Sequence, residues 1–196
     1  MIDKTILIAT TNSGKMNDIK EIFKDINIKL ISYLNFNDYP DVEETGNTFE
    51  SNAVLKAKAA YDYFKLPVIA DDSGLAVEQL NDAPGVYSAR YAGKNATDDD
   101  NNVKLITELR KYPEPHLAKY ICVAVYYNGK QIESAHGECK GKIIHNGKGT
   151  NGFGYDPYFV PDGYSSTMAE LSLEQKNKIS HRRKAFEQLK NIVRQS

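Results

Sequence analysis

Five short stretches of this chain carry side chains that could do chemistry. In Asp71-Asp72-Ser73-Gly74, two adjacent carboxylates follow the apolar run Val68-Ile69-Ala70. Such a run reads as a buried strand, which places the acids at its end, before a glycine turn. Two like charges beside a core repel each other, and desolvation penalises both. A divalent cation or a proton-transfer role would account for them. The plain alternative is a solvated Asp-Ser-Gly turn.

The second stretch is Thr10-Thr11-Asn12-Ser13-Gly14-Lys15, between an apolar run and a helical pattern. A helix N-terminus offers unpaired N–H groups and a positive dipole end, which suit phosphate. Lys15 adds a full charge; Thr10 and Asn12 add neutral donors. The GxxxxGK[ST] spacing is missing, and Met16 stands where a hydroxyl would bind magnesium. The third stretch is Glu43-Glu44-Thr45-Gly46. Its acids matter only if the fold brings them to Asp71 and Asp72, where oxygen ligands from two loops would make a magnesium site. In Gly152-Phe153-Gly154-Tyr155-Asp156-Pro157, glycines bracket an aromatic, so a planar ligand can approach the backbone and stack on Phe153. The alternative is a tight loop with Phe153 anchored in a core. The fifth stretch runs from Lys176 to Ser180-His181-Arg182-Arg183. Cations at a helix start oppose the dipole, which suggests an anionic or carbonyl-bearing ligand, or else a solvated basic turn.

The elements that must position these groups follow from periodicity. Thr5 to Ala9 reads as a buried strand and Lys29 to Ser32 as a second. Between them a helix carries Ile19, Ile22, Phe23 and Ile26 on one face. Asn47, with Glu50 as capping-box partner, is expected to start a helix whose apolar stripe includes Ala53, Ala57 and Ala60. Asp98 to Lys111 is expected as a helix capped by Thr97, with Val103, Ile106 and Leu109 inward. Tyr120–Tyr127 and Gln131–Glu138 read as a hairpin about Asn128-Gly129. Tyr158 to Val160 is a short strand. Ser172 with Gln175 opens one helix, and Ser180 a last one. Helices alternate with strands early and a hairpin comes later, which predicts an α/β protein with a mixed sheet.

The chain has 196 residues, 41% of them hydrophobic, enough for one large domain or two lobes sharing a sheet. The net charge of −1 argues against a nucleic-acid or polybasic membrane partner. No apolar run approaches a membrane span, and Met1-Ile2-Asp3-Lys4 lacks a signal-peptide layout, so a cytoplasmic protein is expected. Cys122 and Cys139 lack metal or redox spacing and read as reduced thiols.

Taken together and in order, these stretches resemble the inosine triphosphate pyrophosphatase family, which acts on non-standard purine nucleoside triphosphates. The signals are Thr10-x-Asn12-x-x-Lys15, Glu43-Glu44-Thr45-Gly46, Asn52-Ala53 with Lys56, Ala70 to Leu75, Pro84 to Tyr91, Gly152 to Pro157 and Ser180-His181-Arg182. They span Ile6 to about Leu189. Thr11 departs from the pattern, since many relatives carry glycine there.

The resemblance implies a long twisted mixed sheet flanked by helices, with residues 1–196 forming one pyrophosphatase domain of two lobes and the active site in their cleft. It implies hydrolysis of ITP, dITP and XTP to monophosphate and pyrophosphate with Mg2+, by a homodimer. By matching positions, Asp72 would be the general base or the carboxylate that organises the metal. Glu43 would be the metal-loop acid, with Glu44 competing for that role. Thr10, Thr11, Asn12, Ser13, Gly14, Lys15 and Lys56 would hold phosphates, and Ser73 would contact substrate. Phe153, Gly154, Tyr155, Asp156, Lys176, His181 and Arg182 would surround base and sugar. The competing readings are a septum-inhibitor-type pyrophosphatase acting on dTTP or UTP, and a non-catalytic nucleotide sensor on the same fold.

Overall fold

The structure, a computed structural model, describes residues 4–195. Met1-Ile2-Asp3, read above for a targeting signal, lies outside the described residues. The first strand, β1 (Lys4–Ile8), pairs in parallel with β2 (Ile28–Ser32) and with β3 (Val68–Val77). Parallel neighbours need a crossover. The first is α1 (Ser13–Phe23), which buries Met16, Ile19, Ile22 and Phe23 at helical spacing. The second contains α2 (Phe49–Phe64), whose small Ala53, Ala57 and Ala60 are fully buried. After β3 come α3 (Asp98–Leu109), the hairpin strands β4 (His116–Tyr127) and β5 (Ile132–Ile143), and β6 (Phe159–Pro161), antiparallel to β5. Two helices close the chain, α4 (Leu173–Ile179) and α5 (His181–Gln195). The strands form a six-stranded mixed sheet in the order β2-β1-β3-β4-β5-β6. The expected fold class is therefore observed.

The chain divides into two compact units. The first holds residues up to Asp72, Cys122–Gly137 and Arg182 onward; the second holds Ser73–Ile121 and Glu138–His181. Each has its own core. In the first, Ile6, Ile8 and Ile69 pack with Ile19, Phe23, Phe186 and Leu189. In the second, Leu75, Leu105, Leu109, Ile143 and Phe159 pack together. Both cysteines are free and buried, and burial foremost pushes the Cys122 thiol up to about 12, so it stays protonated. Among the described residues no helix is long and apolar enough to cross a membrane.

Four local expectations are corrected. The strand does not end at the aspartates: β3 runs through Asp71-Asp72-Ser73-Gly74, and Gly74 lies in extended backbone rather than at a turn. Partner cations make that burial tolerable, as described below. Thr48, not Asn47, caps α2, and Ser51 rather than Glu50 completes the capping box. Val103 is 65% exposed. The inward face of α3 instead carries Asn101 and Asn102 with Leu105, Ile106 and Leu109. The two asparagines are buried because their amides bond backbone, Asn101 Oδ1 accepting from Ala92 N–H at 2.8 Å and Asn102 Nδ2 donating to Gly154 C=O at 2.9 Å. Finally, the second hairpin strand does not end at Glu138: β5 runs on to Ile143.

Candidate active site

In the first unit, Asp71 and Asp72 are both buried in β3, yet their surroundings differ. Asp71 Oδ2 accepts from Lys15 Nζ at 2.9 Å and lies 3.7 Å from Arg182 Nε. Burial alone would raise its pKa, but Lys15, Arg182 and Lys56 together hold the carboxyl well below the usual range. Asp71 is therefore a fixed anion.

Asp72 is shifted the opposite way. Burial foremost raises its pKa, Glu44 and Asp71 add to the rise, and Lys56 and the Asn52 amide oppose it. Lys56 Nζ donates to Glu44 Oε1 at 2.7 Å and lies 3.6 Å from Asp72 Oδ1. Although burial works against its charge, Asp72, Asp71 and Glu44 raise the Lys56 pKa overall, so it stays cationic. Asn52, fully buried on α2, accepts from Gly46 N–H at 2.8 Å and donates to Asp72 Oδ2 at 3.1 Å. One amide thus ties the acidic loop to β3. Glu44 is the acid brought into this network; Glu43 is exposed.

The loop before α1 is built as a cap. Asn12 Oδ1 accepts from Lys15 N–H at 2.9 Å, and Thr10 Oγ1 accepts from Asn12 N–H at 3.1 Å. Thr10 is buried, whereas Thr11, Asn12, Ser13 and Gly14 are exposed at the helix start. Both oxygens accept there, so the Thr10 hydroxyl and the Asn12 amide keep their donors, which join the exposed backbone and Lys15 in the loop's capacity for an anion.

In the second unit, Asp156 organises the glycine–aromatic loop. Its Oδ1 accepts from Tyr120 OH at 3.1 Å, and its Oδ2 accepts from Phe153 N–H at 3.2 Å and from Lys176 Nζ at 2.5 Å. Gly152 is required there: its φ is +86°, and a Cβ would lie 2.1 Å from Asp156 Oδ2. Gly154 N–H donates to Asp98 Oδ2 at 2.7 Å, and Tyr155 OH to Ser88 C=O at 2.8 Å. Phe153 is 56% exposed, so it does not anchor a core, and Lys176 Nζ lies 5.4 Å from its ring centroid. The His181 ring stacks on Tyr120 at 4.9 Å between centroids and 11° between planes. Ser73 is half-buried in β3.

Asn52, Tyr120, Asp98 and Asn102 did not stand out as site residues by type alone. Asp71 was singled out beside Asp72 but given no role of its own, and Asn52 lay inside a quoted motif, so its position was the available signal. Tyr120, in a strand far from Asp156 along the chain, offered none.

The sequence profile of the Ham1 family matches residues 6–192. A dITP/XTP pyrophosphatase of Oceanobacillus iheyensis is 47% identical over 189 residues, covering 95% of this chain and 96% of that protein. One of Geobacter sulfurreducens is 46% identical, covering 95% and 94%. Among solved structures, a HAM1 protein from Coxiella burnetii superposes with a TM-score of 0.91 at 41% identity, covering 98% of this chain and 99% of that one. The Staphylococcus aureus Ham1 protein gives 0.89 at 44% identity, with the same coverage. The profile match over residues 6–192 and the near-complete coverage by relatives at 46–47% identity show that the chain belongs to the Ham1 family.

Proposed function

We propose that this chain hydrolyses non-standard purine nucleoside triphosphates, ITP, dITP and XTP, to the monophosphate and pyrophosphate, removing deaminated purines from the nucleotide pool. The carrying observation is its near-full-length similarity, at 47% identity, to a relative named dITP/XTP pyrophosphatase. The charge network around Asp72 supports the same chemistry.

Mg2+ fits the acidic side of that network. Glu44 and Asp72 both face the Lys56 ammonium, so two carboxylates already converge on a positive charge. Magnesium characteristically uses one or two carboxylates and completes its shell with water and substrate phosphates. Glu44 and Asp72 would hold the ion, and the ion would neutralise charge on the triphosphate. Asp72, with its raised pKa, is suited to take a proton from the attacking water. The water oxygen bonds to the α-phosphorus, the α–β bridging P–O bond breaks, and pyrophosphate leaves with the electron pair. Lys15 and Lys56 stabilise the negative charge that develops.

For the base, Phe153 offers an exposed ring and His181 and Arg182 offer donors to a 6-oxo group. Adenine presents a 6-amino donor instead, and unpaired buried donors cost about 1–3 kcal/mol each. Asp156 and Lys176 shape the loop, and Asp71 sets the Lys15 and Arg182 positions. We further propose a cytoplasmic homodimer, with nucleotide as substrate and neither nucleic acid nor membrane as partner. Sedimentation at micromolar concentration checks the dimer, and a monomer there removes it.

The test is kcat/KM for ITP, XTP, GTP, ATP, dTTP and UTP, with pyrophosphate release read with and without Mg2+. ITP and XTP are expected to exceed ATP by about 10⁴, the discrimination available to a hydrogen-bonding site. ATP within tenfold of ITP overturns the base-reading role. Preference for dTTP or UTP favours the septum-inhibitor-type activity.

A further inference from the structure

We propose that Glu114, His116 and His145 form a binding site for a divalent transition-metal ion, zinc foremost, separate from the charge network around Asp72. All three lie in the second unit, at the open end of the β4–β5 hairpin. Glu114 and His116 lead into β4, and His145 follows β5. A ligand atom from each residue lies within 4.8 Å of the others.

The tautomer of His116 is set by a chain of hydrogen bonds. Gln79 Nε2 donates to Pro113 C=O at 2.7 Å, which fixes the amide orientation and turns Oε1 toward His116. His116 Nδ1–H then donates to Gln79 Oε1 at 2.6 Å. That leaves a lone pair on His116 Nε2 whenever the ring is neutral. A ligating imidazole whose other nitrogen donates to a carbonyl oxygen is the arrangement metal sites use to orient histidine.

The second nitrogen is already in place. His145 Nε2 lies 2.8 Å from His116 Nε2, and the rings stack at 4.8 Å between centroids. Two nitrogens on one tetrahedral zinc, each about 2.0–2.1 Å from it, stand about 3.3 Å apart, so the pair need open by only about half an ångström. Without metal, His145 Nε2–H donates to His116 Nε2; with a cation between the two nitrogens that same proton moves to His145 Nδ1. Glu114 Oε1 lies 3.7 Å from that Nδ1, and its side chain is 67% exposed and able to turn onto the ion. Two imidazoles and one carboxylate suit zinc and its neighbours, whereas magnesium prefers oxygen alone. The ion would staple the hairpin end, with water in the remaining position.

The test uses the whole protein, stripped with chelator and titrated with zinc alone by calorimetry. One equivalent is expected, accompanied by a higher Tm. Cobalt is expected to give the visible absorption of a tetrahedral site. His145→Ala, at a half-exposed position, should abolish the equivalent, the Tm rise and the cobalt spectrum, while Mg2+-dependent ITP turnover stays unchanged. Gln79→Leu should weaken zinc about 10–100-fold, the effect of losing an orienting partner. Absence of the equivalent in the wild type, or its survival in His145→Ala, overturns the site and leaves only a histidine–histidine hydrogen bond.

Discussion

Lys15 Nζ lies 2.9 Å from Asp71 Oδ2, joining the first turn of α1 to the middle of β3. Asp71 also faces Arg182 at 3.7 Å from the start of α5. One buried anion therefore positions two cations from opposite ends of the chain. The proposed phosphate-binding lysine is held in place before any substrate arrives, which lowers the entropy lost on binding.

Asp71→Asn should destabilise the protein at neutral pH. The folded carboxyl titrates below its ordinary value of 3.8, so its contribution is complete above that value and is lost progressively as pH falls from there through the lower folded value. Urea unfolding at pH 7 and pH 3 measures this. The wild type should lose more stability across that interval than the variant, and equal losses would contradict the assignment.

Asp72→Asn should behave in the opposite way. Its folded pKa is raised, so the ionised form burdens the native state once pH rises above the unfolded value of 3.8. At pH 7 the variant should melt at the wild-type temperature or above it, yet lose turnover by about 100-fold or more. Near-normal turnover in a well-folded variant would remove Asp72 from catalysis.

Glu44 and Glu43 should separate in their response to Mg2+. Glu44 contacts Lys56 beside Asp72, while Glu43 is exposed. Glu44→Gln should raise the Mg2+ concentration for half-maximal activity about tenfold or more, since affinity follows ligand charge. Glu43→Gln should leave it unchanged. The reverse outcome would return the metal role to Glu43.

Lys15→Ala and Tyr120→Leu distinguish phosphate holding from base reading. Removing the Lys15 charge should lower kcat/KM for ITP, XTP and GTP by a common factor. Tyr120 supports His181 by stacking and Asp156 by a hydrogen bond. Tyr120→Leu should therefore change the ratio of ITP to ATP turnover. A changed ratio in Lys15→Ala, with none in Tyr120→Leu, would exchange the two assignments.

Local pattern determined much of this molecule. The apolar runs at β1 and at the start of β3, the amphipathic face of α1, the Asn-Gly hairpin and the Ser172 capping box are each settled by neighbours a few residues away. Order and spacing of short motifs also pointed to the inosine triphosphate pyrophosphatase family, whose signature stretches follow one another in that order. Tertiary structure decided the rest. Asp71 and Asp72 are alike in sequence, yet one is fixed as an anion and the other pushed toward protonation, because Lys15 and Arg182 outweigh burial at the first, whereas burial, with Glu44 adding to it, prevails at the second. β3 continues through both acids because those cations arrive from other elements, which no local propensity can register. The Gln79, His116 and His145 chain likewise joins residues from three places in the sequence. Charge and hydrogen-bond partners act through space, so their effect on a buried group appears only once the chain has folded.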